Sequence, residues 1–316
     1  MKDGAMKDAY DVVVVGGAAA GLSGALVLAR SRRSVVVIDA GQPRNAPAEG
    51  VHGLLAREGM PPGELLERGR DEIRQYGAEI ATGTVEAVTG GVGRFAVALT
   101  DGRTVTARRV LVATGLVDEL PEVDGVRERW GRDVVHCPYC HGWEVRDQAI
   151  GVLATGPMAA HQALLFRQLS DDVTVFVNDQ GALPQEQAEQ LAARGVAVVE
   201  GAVEALEISG DRITGVRLVD GTTIPRDVVA VGARMSARVE FLAPLGIKPV
   251  EHPSGMGTHV PCDPTGRTDV AGVWIAGNAT DLSAQVGAAA AAGAFAAAQI
   301  NTDLVAEEAR SAVAAR

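Results

Sequence analysis

Short, wholly apolar runs alternate with longer helix-period segments along this chain. That is the pattern of parallel strands buried on both faces and joined by crossover helices. From Asp11 to Gly24 four valines precede Gly-Gly-Ala-Ala-Ala-Gly-Leu-Ser-Gly. The β-branched run predicts a buried strand. The small residues predict a tight turn into a helix passing through Leu26 and Leu28 to about Arg32. A second apolar run, Ser34 to Ile38, ends at Asp39 and closes a βαβ unit. Loops are expected at Gln42 to Asn45 and at Val51 to Leu55, then a helix from Pro62 to Tyr76. His52 sits in an apolar loop, where packing is its ordinary role.

The pattern then repeats. Ile80-Ala81-Thr82-Gly83-Thr84-Val85-Glu86-Ala87-Val88 is echoed by Val198-Val199-Glu200-Gly201-Ala202-Val203-Glu204-Ala205-Leu206. Each copy leads into a hairpin with an Asp-Gly turn, Asp101-Gly102 and Asp220-Gly221. Each hairpin leads into a buried strand ending in glycine, Val110 to Gly115 and Val228 to Gly232. A second βαβ unit is expected ahead of the second copy and is present: Ile150 to Leu153, a turn, a helix through Leu164 and Phe166, and Val173 to Val177. Gly272 to Ala276 predicts one more buried strand, ending at Gly277-Asn278. An alanine-rich helix from about Ser283 past Gly293 follows it. The fold class expected is α/β: two nested Rossmann-like, three-layer domains, the second inserted into the first. Residues 1–118 and 248–316 form one domain and 119–247 the other.

Composition narrows the partners. The chain has 316 residues, enough for two domains, with 47% hydrophobic residues, 3% aromatics and a net charge of −11. An acidic surface argues against nucleic acid and anionic membranes as partners. The longest apolar run, Val286 to Ala298, is too short for a bilayer, which takes about 20 residues. Met1 to Ala9 is expected to be a loose tail, with Met6 a second candidate start. The absence of a charged-then-apolar leader predicts a cytoplasmic protein.

The candidate chemistry lies at His136-Cys137-Pro138-Tyr139-Cys140-His141-Gly142-Trp143-Glu144. Two of only three cysteines stand three positions apart, a spacing that lets their sulfurs close a small disulfide ring. A helix starting at the pair would favour a thiolate through its N-terminal N–H groups and dipole. A neighbouring histidine can move the proton that thiol–disulfide exchange requires. A structural zinc site and an inert buried pair are the competing readings. Cys262, near His259, has no second motif behind it.

The first turn places Gly16, Ala18 and Gly21 at the positions of a dinucleotide fingerprint, with Asp39 as the ribose acid. Two such modules with a CxxC opening the second resemble the low-molecular-weight thioredoxin reductase family along essentially the whole chain from Asp11. The resemblance implies that the first module binds FAD, and that the second binds NADPH and carries the redox pair. It implies FAD contacts at Gly16, Gly17, Ala18, Ala19, Ala20 and Gly21, at Asp39 and Ala40, and at Gln42, Arg44 and Asn45. His52 falls at a flavin-adjacent polar position, and Val85 at the residue whose backbone meets adenine. Ala113-Thr114-Gly115 with Pro121 matches the second flavin motif. Gly277-Asn278 matches a Gly-Asp that holds the ribityl chain, and Gln285-Val286 the helix start under the isoalloxazine. Cys140 would face the flavin C4a and Cys137 would exchange with substrate.

The departures refine the expectation. The family usually reads Cys-Ala-Thr-Cys-Asp, whereas this chain has Pro-Tyr between the cysteines and His141 after them. In that detail it resembles the gliotoxin- and holomycin-type dithiol oxidases, flavoproteins that close disulfides in small molecules and pass electrons to oxygen. Cys-Pro-Tyr-Cys is also the glutaredoxin tetrapeptide, but here it lies between two nucleotide modules. The second glycine turn reads Ala154, Gly156 and Ala159. The basic cluster that clamps a 2′-phosphate is replaced by Asn178-Asp179, which places NADPH in question and leaves NADH or no nicotinamide open. The expected activity is oxidation of a small-molecule dithiol, with His141 and His136 as bases and oxygen as acceptor. The alternative is a thioredoxin-disulfide reductase driven by NAD(P)H or ferredoxin, with a thioredoxin-like protein or small disulfide as partner. A flavin-binding protein with a metal at the His-Cys-Cys-His cluster is a third reading. The resemblance also implies a homodimer.

Overall fold

The computed structural model describes residues 6–316. The expected tail, Met1 to Ala9, lies outside the described residues up to position 5. Beyond it the tail is ordered sooner than expected: Met6 packs against the core and the first strand starts at Ala9.

The valine run sits at the centre of its sheet. Ala9–Val15 pairs in parallel with Val35–Asp39 on one side and Thr104–Val112 on the other. Val12 to Val15 are each at most 4% exposed, as a strand covered on both faces requires. Glu79–Thr82 and Val273–Ile275 complete the parallel part of the sheet. The first half of Thr104–Val112 also pairs antiparallel with Arg94–Leu99, which pairs with Val85–Gly91. Helices Ala19–Arg30, Pro62–Gln75 and Val286–Ala314 cover one face, and the antiparallel layer covers the other.

The second half repeats this order. Ala197–Val199, Val173–Phe176, Ile150–Leu153, Val228–Val231 and Val134–Val135 lie side by side in parallel. Helices Ala159–Phe166 and Gln185–Ala193 pack on one face; the hairpin layer Val203–Ser209, Arg212–Leu218 and Thr223–Ile224 packs on the other. The source of the outer strand differs, and here the hairpin layer is a separate sheet. In the first sheet it arrives from the C-terminal segment, in the second from the residues just before the cysteine pair.

Two connections join the halves. Leu116–Glu119 pairs antiparallel with Arg234–Ala237. Beside them Thr114 Oγ1 donates to the Arg238 carbonyl at 2.7 Å, and Arg238 N–H donates to Gly115 O at 3.2 Å. Neither strand was expected, because both are short and lack an apolar run. Ala237, Val239, Leu242 and Ile247 pack in the first sheet's core, so 237–247 lies with that sheet although the expected insert runs to 247. Among the described residues no helix is long and apolar enough to cross a membrane.

The last helix begins at Val286, not Ser283. Asp281 Oδ1 accepts the Ser283 N–H and hydroxyl, and Asn278 Nδ2 donates to the Asp281 and Ala284 carbonyls. Those bonds hold 281–284 in a turn. Farther along, the buried Arg109 donates to Asp303 at 2.7 Å and to Glu307, anchoring the helix to the sheet. Helices Ala19–Arg30 and Val286–Ala314 cross closely, since a Cβ on Gly293 would lie 1.9 Å from Ala20 O. Gly293→Val should force the helices apart, cost about 1–3 kcal/mol and weaken FAD retention. Thermal unfolding and flavin release measured together check this.

Candidate functional site

The strand Val134–Val135 delivers His136 to the sheet edge, and Cys137 caps a one-turn helix, Pro138–His141. Proline suits the first helical position, where its missing N–H is not needed. Cys140 and His141 N–H groups both donate to Cys137 O at 3.1 Å. The turn brings the two sulfurs within 2.7 Å of each other. Gly142 is required behind them, because a Cβ there would lie 2.2 Å from both Leu169 Cδ1 and Pro138 O.

The two thiols are not equivalent. The hydrogen bond from Cys140 pulls Cys137 down to about 7, against the effect of burial, with help from the Tyr139 and Cys140 N–H groups and the Arg44 charge. The same bond and burial push Cys140 up. At neutral pH Cys137 is the ready thiolate and Cys140 holds the proton. Burial lowers His141 despite the nearby Glu144 carboxylate. Burial lowers His136 as well, and its Nδ1 lies 3.0 Å from Val231 O. A carbonyl only accepts, so Nδ1 carries the proton there. That bond turns His136 toward the fold, and the sulfurs face each other. Among the described residues no group of three or more His, Cys, Asp and Glu could hold a metal ion.

Cys137, Cys140, His136 and His141 form one wall of a cavity of about 1250 Å³, beyond the ~300–1,000 Å³ usual for a single small-molecule site. Gly16 to Ala20 line the same cavity. A Cβ on Gly16 would meet Ala113 O at 2.3 Å, and one on Gly17 would meet the Asp39 carboxyl at 2.7 Å. Ala18 starts the helix without a side-chain cap, leaving its first N–H groups for a phosphate. Asp39, Ala40, Gln42, Arg44 and Asn45 follow along the same cavity, then Val85, Ala113, Thr114 and Gly115. Gly277, Asn278, Gln285 and Val286 approach from the C-terminal segment, and His52 from its loop. Of the expected FAD residues, Gly21 and Pro121 do not line the cavity. Gly21 is the one in the first turn. It is buried, and a Cβ there would lie 1.8 Å from Gly16 O, so its role is close packing of turn and helix.

Several side chains are committed to other protein groups. Asp39 accepts from Arg70 at 3.0 Å and from Gly41 N–H. Asn278 donates to the turn before Gln285, which an aspartate could not do. Arg44 makes a two-pronged ion pair with Asp118, at 2.6 and 2.7 Å. Asp118, on the connecting strand, carried no motif signal. Nor did Glu58, 2.6 Å from His52 Nδ1, since no spacing rule marks an acid on a loop. Cys262 lies apart, against Thr280.

The second turn is built differently. Pro157 has no N–H, Thr155 Oγ1 donates to Gly232 O, and Met158 starts the helix uncapped. Asn178 Oδ1 accepts the Val203 N–H, and Asp179 accepts from Asn178 and Gln180. Asn178 and Asp179 thus stand where a basic cluster would clamp a 2′-phosphate.

Paired sulfurs sharing one cavity with a dinucleotide turn define a flavin-linked disulfide oxidoreductase. The chain belongs to the pyridine nucleotide-disulphide oxidoreductase family, whose pattern matches residues 10–297. It is similar to the crystal structure of HlmI, at 46% identity and a TM-score of 0.92 over 98% of this chain and 97% of that one. An oxidoreductase from Agrobacterium tumefaciens shares 37% identity with a TM-score of 0.88, over 95% and 99% of the two chains. Thioredoxin reductase tcpT of Claviceps purpurea is 31% identical over 75% of this chain and 78% of its own. The protein is a thioredoxin reductase-like enzyme with FAD as its cofactor, and the uncapped helix and glycine cradle fit that group.

Alkylation of the reduced protein by iodoacetamide should accelerate at Cys137 with a midpoint near pH 7, and Cys140 should lag behind it. Arg44→Met should move that midpoint upward by removing a nearby positive charge. Mass spectrometry of the labelled peptide against pH reads both.

Proposed function

We propose that this protein oxidises a small-molecule dithiol to its disulfide, with oxygen as the final acceptor and hydrogen peroxide as product. The observation that carries this reading is the unequal thiol pair on the wall of the FAD cavity, beside a second nucleotide turn lacking both an N–H at Pro157 and a basic clamp at Asn178-Asp179.

The resting pair is the Cys137–Cys140 disulfide. His141, held unprotonated by burial, accepts the proton of the incoming thiol. The substrate sulfur bonds to Cys137 and Cys140 departs. The second substrate sulfur then closes the product disulfide and expels Cys137. A low thiol pKa speeds that departure, which is the direction set at Cys137. His136, its Nδ1 fixed by Val231 O, supports the strand end and stands second to His141 as a base. Tyr139 is 66% exposed beside the pair, leaving a small dithiol open access. FAD bound along Gly16 to Ala20 and Gln285-Val286 would supply the two-electron carrier between the reduced pair and oxygen.

The cofactor contacts belong to the same proposal. Gly16 to Ala20, with Asp39, Ala40, Gln42, Arg44, Asn45 and Val85, serve the nucleotide end, and Gly21 lets their turn pack on the helix. Ala113 to Gly115, Gly277, Asn278, Gln285 and Val286 serve the flavin end, with His52. So does the nested organisation, with the return to the first module drawn near 237 from the packing of Ala237 to Ile247. A cytoplasmic homodimer completes it.

A second reading, a thioredoxin-disulfide reductase fed by NAD(P)H or ferredoxin, draws support from relatives so named and from the helix start at Ala159 opening on the same cavity. The two readings part on one experiment. Purified holoprotein given dithiothreitol in air should consume oxygen, and NADPH or NADH should leave its flavin colour unchanged without oxygen. Rapid bleaching by either nucleotide, with no thiol-dependent oxygen uptake, would favour the reductase. Cys140→Ser should lower dithiol oxidation by about 10³-fold or more, read as peroxide formed.

A further inference from the structure

We propose that the helix Ala159–Phe166 and the residues just after it brace the cysteine turn. Gln162 and His136 are its positioning residues: they keep Cys137 and Cys140 within bonding reach and so set how firmly their disulfide is held. The inference rests on the reading that this pair cycles between dithiol and disulfide, which the oxidase and the reductase share.

The turn cannot fix its own shape. Pro138–His141 is a single helical turn with no buried residue, and a helix that short does not persist in water unaided. Yet its sulfurs stand 2.7 Å apart as free thiols. The order comes from 159–170, which grips the turn at both ends. Ahead of the pair, Gln162 Nε2 donates to His136 O at 2.7 Å. The His136 ring is held as well, its Nδ1–H donating to Val231 O at 3.0 Å. The next residue, Gly232, accepts from Thr155 in the turn that opens the helix. Behind the pair, Asp147 N–H donates to Leu169 O at 2.9 Å, and Ser170 Oγ donates to Gln148 O at 2.6 Å. Gly142 lies so close to Leu169 that a Cβ there would stand 2.2 Å from Leu169 Cδ1. The first module leaves its turn and helix start free for a phosphate. The second ties the polar side chains of Thr155 and Gln162 to the strand ends beside the cysteines.

This bracing acts on the disulfide through proximity. Closing a disulfide within a chain is favoured by the effective concentration of one thiol at the other. A brace that denies the reduced pair its other arrangements raises that concentration. Releasing the brace lets the sulfurs part and favours the dithiol. A general base changes how fast exchange runs but not where it comes to rest. The equilibrium therefore separates positioning from proton transfer at His136.

The test equilibrates the holoprotein without oxygen in mixtures of reduced and oxidised glutathione. Free thiols are then alkylated and the Cys137–Cys140 peptide is read by mass spectrometry. Each protein disulfide formed converts one glutathione disulfide to two glutathiones. Gln162→Met keeps the side chain's length without its donor. It should shift the equilibrium about 5-fold toward the dithiol, which is about 20 mV in this two-electron couple. His136→Leu should shift it the same way, while His136→Asn, whose amide N–H replaces Nδ1–H toward Val231 O, should restore it. The His136 variants carry the test by themselves should Gln162→Met lose its FAD. Ile213→Val, which loosens the hairpin layer of the same half, should leave the equilibrium unchanged. Gln162→Met and His136→Leu matching wild type would overturn the brace, as would an equal shift in Ile213→Val. A wild-type pair that stays as two thiols in excess oxidised glutathione overturns the redox reading of the pair, and the brace with it.

Discussion

The molecule depends on one constraint: two sulfurs on one module must stay on the wall of a cavity that another module also lines. The paired strands Leu116–Glu119 and Arg234–Ala237 meet that constraint, with Thr114 and Gly115 bonded to Arg238 beside them. Backbone bonds of this kind are insensitive to side-chain rotation. Arg44 reinforces the arrangement from the first module by pairing with Asp118 on the connecting strand, which also keeps its charge near Cys137.

Around that frame the chain uses small residues wherever two backbones must approach. Gly16, Gly21, Gly142 and Gly293 each face a backbone oxygen that a side chain would strike. The first two shape the nucleotide turn, the third lets the cysteine turn close, and the fourth lets the last helix lie on the first. Bulk is kept for the cores, where valine dominates and Trp274 fills the space beneath the final strand.

Much of this was legible in sequence. The buried valine runs, the repeated Val-Glu-Ala segments and the Asp-Gly turns each report a local preference that the structure keeps. The cysteine pair was legible for the same reason, since three positions of spacing are enough to bring the sulfurs together. What escaped was decided by distant partners. The strands at 116–119 and 234–237 are too short to show a period and exist because they meet each other. Asp118, Glu58 and Glu144 are ordinary surface acids until Arg44 and His52 come within reach. The start of the last helix was misplaced because the bonds of Asn278 and Asp281 outweigh the helix preference of the alanines.

The origin of the outermost strand of the first sheet has a consequence for biosynthesis. Val273–Ile275 and the helix that rests on Ala20 are translated long after Thr104–Val112 and Ala20, the parts of the first module they pack on. A nascent chain therefore waits with its opening module unfinished while the middle segment leaves the ribosome and begins to condense. The cradle for the flavin therefore closes only once this strand and helix are in place, and a chain cut before Val273 exposes an unsealed apolar edge.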